Sequence, residues 1–144
     1  MQLVLATNNK DKIREIKDLL EDLPVTIYTR DDFTDFPDPE ENGRTLEENA
    51  IIKARAIREF CDMPALADDS GLEVDALDGA PGVYSSRFAG EGCTYDDNNR
   101  KLLYELKGVP EKKRTARFRC VIAIAWADGS VETVEGRADG LIAE

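Results

Sequence analysis

The chain contains no histidine and only three cysteines, Cys61, Cys93 and Cys120, which are far apart. The first absence excludes the serine and cysteine hydrolases that rely on an imidazole base. Together the two absences exclude a zinc site, which needs four close nitrogen or sulfur ligands. An odd number of scattered thiols, with no Cys-x-x-Cys, reads as reduced cysteine in a cytoplasmic protein. No apolar run approaches the ~20 residues that span a bilayer, so no membrane partner is expected. Met1 to Ala6 has no basic leader and reads as a strand, not a signal peptide. Cations are also scarce: 19 Lys and Arg stand against 30 Asp and Glu, a net charge of −11. A nucleic-acid binder needs clustered cations to neutralise phosphates, so no nucleic-acid partner is expected. A small phosphorylated ligand is still allowed, because it needs only a few local cations or a metal held by carboxylates.

The 144 residues, 42% of them hydrophobic, suit a single domain over 1–144 with one mixed α/β core. Gln2 to Ala6 predicts a strand. Lys10 to Leu23 predicts a helix with Ile13, Ile16, Leu19, Leu20 and Leu23 on one side. Val25 to Thr29 predicts a second strand, and the acidic, proline-containing segment Arg30 to Gly43 a loop. Thr45-Leu46-Glu47-Glu48 reads as a capping box opening a helix with Leu46, Ala50, Ile51, Ala54 and Ile57 inward. Ala65 to Asp68 and Leu72 to Val74 are two short strand candidates, and Gly79-Ala80-Pro81-Gly82 must turn. Thr94 and Asp97 cap a third helix that faces Leu102, Leu103 and Leu106 to the core. Arg117 to Ala127, Asp128-Gly129 and Ser130 to Val134 read as an antiparallel hairpin. The final apolar residues, Leu141 to Glu144, carry no turn or cap signal, so a longer parent protein is expected.

Four constellations can carry chemistry. Thr7-Asn8-Asn9-Lys10-Asp11-Lys12 lies between a strand and a helix, where backbone N–H groups and the helix dipole attract phosphate. It is not a Walker A loop, and from the local residues alone an ordinary capped helix with solvated lysines is the favoured reading. Glu40-Glu41, with Glu47 and Glu48 beyond, offers oxygen ligands for Mg²⁺ or is only an acidic loop. Asp68-Asp69-Ser70-Gly71 follows an apolar strand. Neighbouring strand residues point to opposite faces, so one carboxylate enters a given site unless the backbone turns; an Asx-type turn is the structural alternative. Gly79 to Arg87 combines turn glycines with an arginine that can hold an anion. With no imidazole available, the leading general base is the Asp68-Asp69 pair.

Taken in order and spacing, four blocks resemble the inosine/xanthosine triphosphate pyrophosphatase family. They are Leu5 to Lys12, Glu48-Asn49-Ala50-Ile51-Ile52-Lys53-Ala54, Ala67 to Leu72, and Gly79 to Arg87. The resemblance implies an elongated α/β fold, inosine triphosphatase-like, with a long mixed β-sheet flanked by helices. It also implies a homodimer and Mg²⁺-dependent hydrolysis of the purine nucleotides ITP, dITP and XTP to monophosphate and pyrophosphate, cleansing the nucleotide pool. By position, Thr7, Asn9 and Lys12 match the family's triphosphate-binding segment, within which Asn8, Lys10 and Asp11 fall. Glu41 matches its metal-binding glutamate, with Glu40 as the alternative register. Asp69 matches its general base and second metal ligand, Asp68 its neighbour, and Ser70 a substrate contact; Lys53 and Arg87 are supporting residues. The family continues past Gly140-Leu141-Ile142 with a Gly-Phe-Gly-Tyr-Asp-Pro segment, a lysine and a Ser-His-Arg motif, which supply the groups that hold the base. These are not among the 144 residues, so a non-catalytic nucleotide-binding or dimerisation fragment is the alternative. A septum-inhibitor-like pyrimidine nucleotide pyrophosphatase ranks lower, because it would open with a Ser-rich, Arg-containing loop.

Overall fold

Strand β1 (Gln2–Leu5) runs through Thr7-Asn8-Asn9 into helix α1 (Lys10–Leu19), and the chain returns as strand β2 (Thr26–Tyr28). Helix α2 (Leu46–Cys61) leads to strand β3 (Ala65–Val74), helix α3 (Tyr95–Glu105) and the long strands β4 (Thr115–Ala125) and β5 (Val131–Leu141). This computed structural model describes residues 1–143. The sheet order is β2-β1-β3-β4-β5. β1 pairs in parallel with both β2 and β3, whereas β4 and β5 are joined by the tight turn at Asp128-Gly129 and run antiparallel, so the sheet is mixed.

The chain packs as two units. The first comprises Met1–Asp69 and Val121–Val134. Strand alternation divides its apolar residues between the two faces of the sheet. Leu3, Leu5 and Leu66 pack with Ile13, Ile16 and Leu20 of the α1 segment. Val4 and Ala65, whose side chains point the other way, pack with Ile57 of α2 and with Phe33 and Phe36. Helix α1 is shorter than the sequence pattern indicates. It closes at Leu20, whose N–H reaches Ile16 O, and Leu19 and Leu23 are exposed. Ile13, Ile16 and Leu20 fall on one helical stripe; Leu19 lies off it, and Leu23 is already past the helix end.

The expected capping box on α2 forms only in half. Thr45 Oγ1 accepts from Glu48 N at 3.0 Å, but Glu48 Oε2 accepts from Arg44 N at 2.6 Å instead of from Thr45. The segment 30–43 is irregular apart from a 3₁₀ turn at Arg30–Asp32. It is held by Phe33 and Phe36 stacked edge-on against Phe60 of α2, with ring centroids 6.2 and 5.9 Å away.

The second unit comprises Ser70–Cys120 and the chain from Glu135 onward. Its core is Val74, Leu102, Leu106 and Ala116, with Leu72 and Phe88 against them. Thr94 and Asp97 do form a complete capping box on α3. Leu103 is exposed, because it sits about 100° around the helix from Leu102. The two short strands expected around Asp68 and Val74 are one continuous strand, β3. Gly79 and Gly82 take positive φ of 89° and 53° around the cis Ala80–Pro81 bond, making the expected turn. β5 runs well past Val134 although its residues alternate poorly. Cross-strand ion pairs such as Arg119–Glu135 and Arg117–Asp139 accompany that extension.

Candidate active site

The first turn of α1 is built by Asn9. Its Oδ1 accepts from Asp11 N at 3.0 Å and Lys12 N at 3.2 Å, and Thr7 Oγ1 accepts from Asn9 N at 3.1 Å. Several N–H groups of this helix start are therefore already used within the turn. The side chains here that can donate to an anion are the Thr7 hydroxyl, Asn9 Nδ2 and the Lys12 ammonium, the last also paired with Asp68, with the helix dipole behind them. Asn8 and Lys10 are exposed in the same turn. Asp11 turns away to pair with Arg14 at 3.1 Å, so its carboxylate does not oppose an incoming anion directly.

β1 ends at Leu5, and β3 continues beyond the level where it pairs with β1 at Leu66. Ligands of open α/β sheets gather beyond such carboxyl ends. Here strand alternation separates the two aspartates. Asp68 shares the face of Leu66, on the α1 side, and Asp69 shares the face of Ala65 and Ala67, on the α2 side. Each meets its own lysine. Asp68 is buried, and its Oδ2 lies 2.5 Å from Lys12 Nζ. Asp69 Oδ1 lies 3.9 Å from Lys53 Nζ, and the same ammonium is 3.1 Å from Glu41 Oε1 and donates to the Asp68 carbonyl. The loop carboxylate Glu41 and the strand carboxylate Asp69 thus converge on one cation projecting from α2. Glu40 is exposed, so of the two registers it is Glu41 that reaches this cluster.

Asp69 is the unusual member. Burial pushes its carboxyl above the ordinary carboxylate range, Lys53 pulls it partly back, and the neighbouring charges of Glu41 and Asp68 push it up again. Its Oδ2 is buried and makes no hydrogen bond. A carboxylate that is deprived of water and short of donors is poised to take a proton or a cation. Two carboxylates suffice for Mg²⁺ in phosphoryl-transfer sites, where substrate oxygens and water complete the shell. Glu41 and Asp69 fit that requirement. No larger cluster of metal-ligating side chains occurs among the described residues.

Asn49 belongs to this neighbourhood, although sequence patterning assigned it no role. It is fully buried on α2, its Oδ1 accepts from Gly43 N at 2.7 Å, and its amide lowers the Asp69 carboxyl. The available signal was a carboxamide on the apolar stripe of an amphipathic helix, between Leu46 and Ala50. Ser70 and Arg87 lie in the second unit. Ser70 is exposed, and Arg87 stacks over Tyr84 with its guanidinium carbon 5.2 Å from the ring centre.

The sequence profile of the Ham1 family matches residues 3–144. The chain belongs to the Ham1 family. A relative in Desulforamulus reducens named dITP/XTP pyrophosphatase is 56% identical over 142 residues, which cover 99% of this chain and 71% of the relative. A relative of the same name in Geobacter sulfurreducens is 52% identical over 141 residues, 98% of this chain and 71% of its own length. Among solved structures, a HAM1 protein from Coxiella burnetii superposes with a TM-score of 0.91 at 41% identity, covering 99% of this chain and 73% of that one. The Staphylococcus aureus Ham1 protein superposes with a TM-score of 0.89 at 38% identity, over 99% of this chain and 72% of that one. The resemblance drawn from the four sequence blocks and the expected mixed α/β fold both hold. In this Ham1-family chain no helix among the described residues is long and apolar enough to cross a membrane.

Proposed function

We propose that this chain is a Mg²⁺-dependent nucleoside-triphosphate pyrophosphatase that hydrolyses dITP, XTP and ITP to the monophosphate and pyrophosphate. The observation that carries the reading is the convergence of Glu41 and Asp69 on Lys53, with Asp69 Oδ2 buried and without a hydrogen bond. The relatives' name, dITP/XTP pyrophosphatase, supplies the substrate class and favours an enzyme over a fragment without turnover.

Glu41 and Asp69 are the residues that would hold Mg²⁺, which when bound offsets charge on phosphate oxygens. The chain's own groups divide the remaining work. Lys12 and the Thr7 and Asn9 side chains bind the triphosphate at the start of α1, with the helix dipole favouring its negative charge. Asp69 accepts a proton from water as that water attacks the α-phosphorus, and the bond from the α-phosphorus to the α–β bridging oxygen breaks. Pyrophosphate leaves against the cations Lys12 and Lys53, which meet the charge that develops there. Asp68 keeps Lys12 aimed from the α1 side of the sheet, and Lys53 spans the carboxylate pair. Within the same reading Asn8, Lys10 and Asp11 line the phosphate turn, Ser70 contacts substrate and Arg87 supports anion binding. The resemblance extends the reading to one domain over 1–144, acting as a cytoplasmic homodimer.

The test is pyrophosphate release from dITP and XTP, with and without Mg²⁺, by the parent chain and by Asp69→Asn. Metal-dependent release that Asp69→Asn loses supports the reading. Metal-independent release, or release that survives in Asp69→Asn, overturns it.

A further inference from the structure

Asn49 is the one polar side chain placed fully inside the apolar stripe of α2. A buried carboxamide is retained against a cost unless its groups are partnered. Only one end of it is. Oδ1 takes the Gly43 N–H at 2.7 Å, and Nδ2 is buried with no hydrogen bond. The Gly43 bond fixes which end of the amide is oxygen, because an N–H can only donate to it. The donor end is therefore Nδ2, and the Asn49 side chain is one of the groups that pull the Asp69 carboxyl down.

The Gly43 contact is also tight. A Cβ at Gly43 would fall 2.6 Å from Asn49 Oδ1 and 2.7 Å from Glu48 Cβ, so only glycine lets the loop approach α2 this closely. Glu41 is two residues upstream of that anchor. At its other end the loop is pinned by Phe33 and Phe36 against Phe60. Between the two anchors Asp38 pairs with Arg30 and Glu41 with Lys53, and the Asn49–Gly43 bond holds the backbone two residues from Glu41.

We propose that Asn49 is a positioning residue for the Glu41–Asp69 pair, anchoring the Glu41 loop through the Gly43 N–H while offering Nδ2 to Asp69. The inference rests on the reading of that pair as the metal-holding site. Residues that orient metal ligands from behind typically change metal affinity about 10–100-fold when removed. A merely structural Asn49 would lower melting temperature and leave the affinity of the folded protein unchanged.

The experiment measures two things on the folded 144-residue chain without nucleotide: exchange of the Gly43 amide proton by ¹⁵N NMR, and Mn²⁺ affinity by calorimetric titration. Asn49→Ala should speed Gly43 exchange at least tenfold and weaken Mn²⁺ about 10–100-fold. Gly43→Ala, which disturbs the same anchor from the loop side, should weaken Mn²⁺ in the same direction, and the double variant should add little beyond either alone. Should Asn49→Ala fail to fold, Gly43→Ala alone carries the test. Unchanged Gly43 exchange, or Mn²⁺ affinity within about twofold of the parent in the folded variants, overturns the proposal. The metal reading is judged separately by Glu41→Gln. If that variant binds Mn²⁺ as the parent does, the metal reading fails, and the exchange arm still decides whether Asn49 anchors the loop.

Discussion

Lys53 Nζ stands 3.1 Å from Glu41 Oε1, which ties a helix residue to a loop residue twelve positions upstream. The same ammonium faces Asp69 at 3.9 Å, so it separates two carboxylates that would otherwise repel each other in a half-buried place. Replacing it by an uncharged side chain of similar length, Lys53→Met, leaves both carboxylates without their shared cation. The expected loss of stability in metal-free protein is ~1–2 kcal/mol, the scale of a charge-assisted hydrogen bond without its partner. Chemical denaturation of parent and variant checks this, and added Mg²⁺ should narrow the difference, because a bound cation supplies the missing charge.

Asp69 should oppose stability. Its carboxyl is raised chiefly by burial, so the native state binds its proton more tightly than the unfolded chain does. The resulting penalty is absent below the unfolded value, where both states are protonated, and is complete above the raised native value. Asp69→Asn should therefore melt higher than the parent at neutral pH without metal, and the gap should shrink as pH falls through the raised native value toward the ordinary carboxylate range. Scanning calorimetry across that range decides it. A variant that melts lower at neutral pH would mean that Lys53 outweighs burial.

Lys12 should bind phosphate without reading the base. Lys12→Ala should raise KM for all nucleoside triphosphates by roughly 10–100-fold, as a lost charge-assisted hydrogen bond would. It should also lower stability, because Asp68 is left buried without its cation. A changed preference between ITP and GTP at unaltered overall affinity would remove Lys12 from this role.

Much of this arrangement was legible in the sequence. The Thr7-to-Lys12 turn, the Thr94–Asp97 cap and the Asp128-Gly129 hairpin are local signals, fixed by residues within three or four positions of one another. The helix boundary at Leu20 and the exposure of Leu103 were not legible, because apolar spacing does not say which stripe the sheet will cover. β3 read as two pieces, since Asp68, Asp69 and Ser70 break its apolar run where its carboxylates are needed. The separate pairing of Asp68 with Lys12 and Asp69 with Lys53 requires knowing that α1 and α2 cover opposite faces. Strand alternation states the division of faces but not the partners. Asn49 was overlooked because its partner Gly43 lies in a loop with no periodicity.

Arg114 should matter to the second unit alone. It is buried, and among the described residues its guanidinium donates to backbone carbonyls, Leu106 O at 2.9 Å and Val109 O at 3.0 Å, at and just past the C-cap of α3. Arg114→Met should cost about 2–4 kcal/mol by leaving those carbonyls unpaired. Hydrogen exchange should show the loss in α3 while the amides of α1 keep their protection.

The most direct test of the central claim is to turn over dITP or XTP in H₂¹⁸O with Mg²⁺ and locate the label by ³¹P NMR and mass spectrometry. Attack on the α-phosphorus places ¹⁸O in the nucleoside monophosphate, with unlabelled pyrophosphate formed in equal amount and the reaction lost in Asp69→Asn. A general base contributes about 10²–10⁴-fold, so that loss should be at least a hundredfold. Label appearing in pyrophosphate or orthophosphate, or a full rate in Asp69→Asn, would contradict the account.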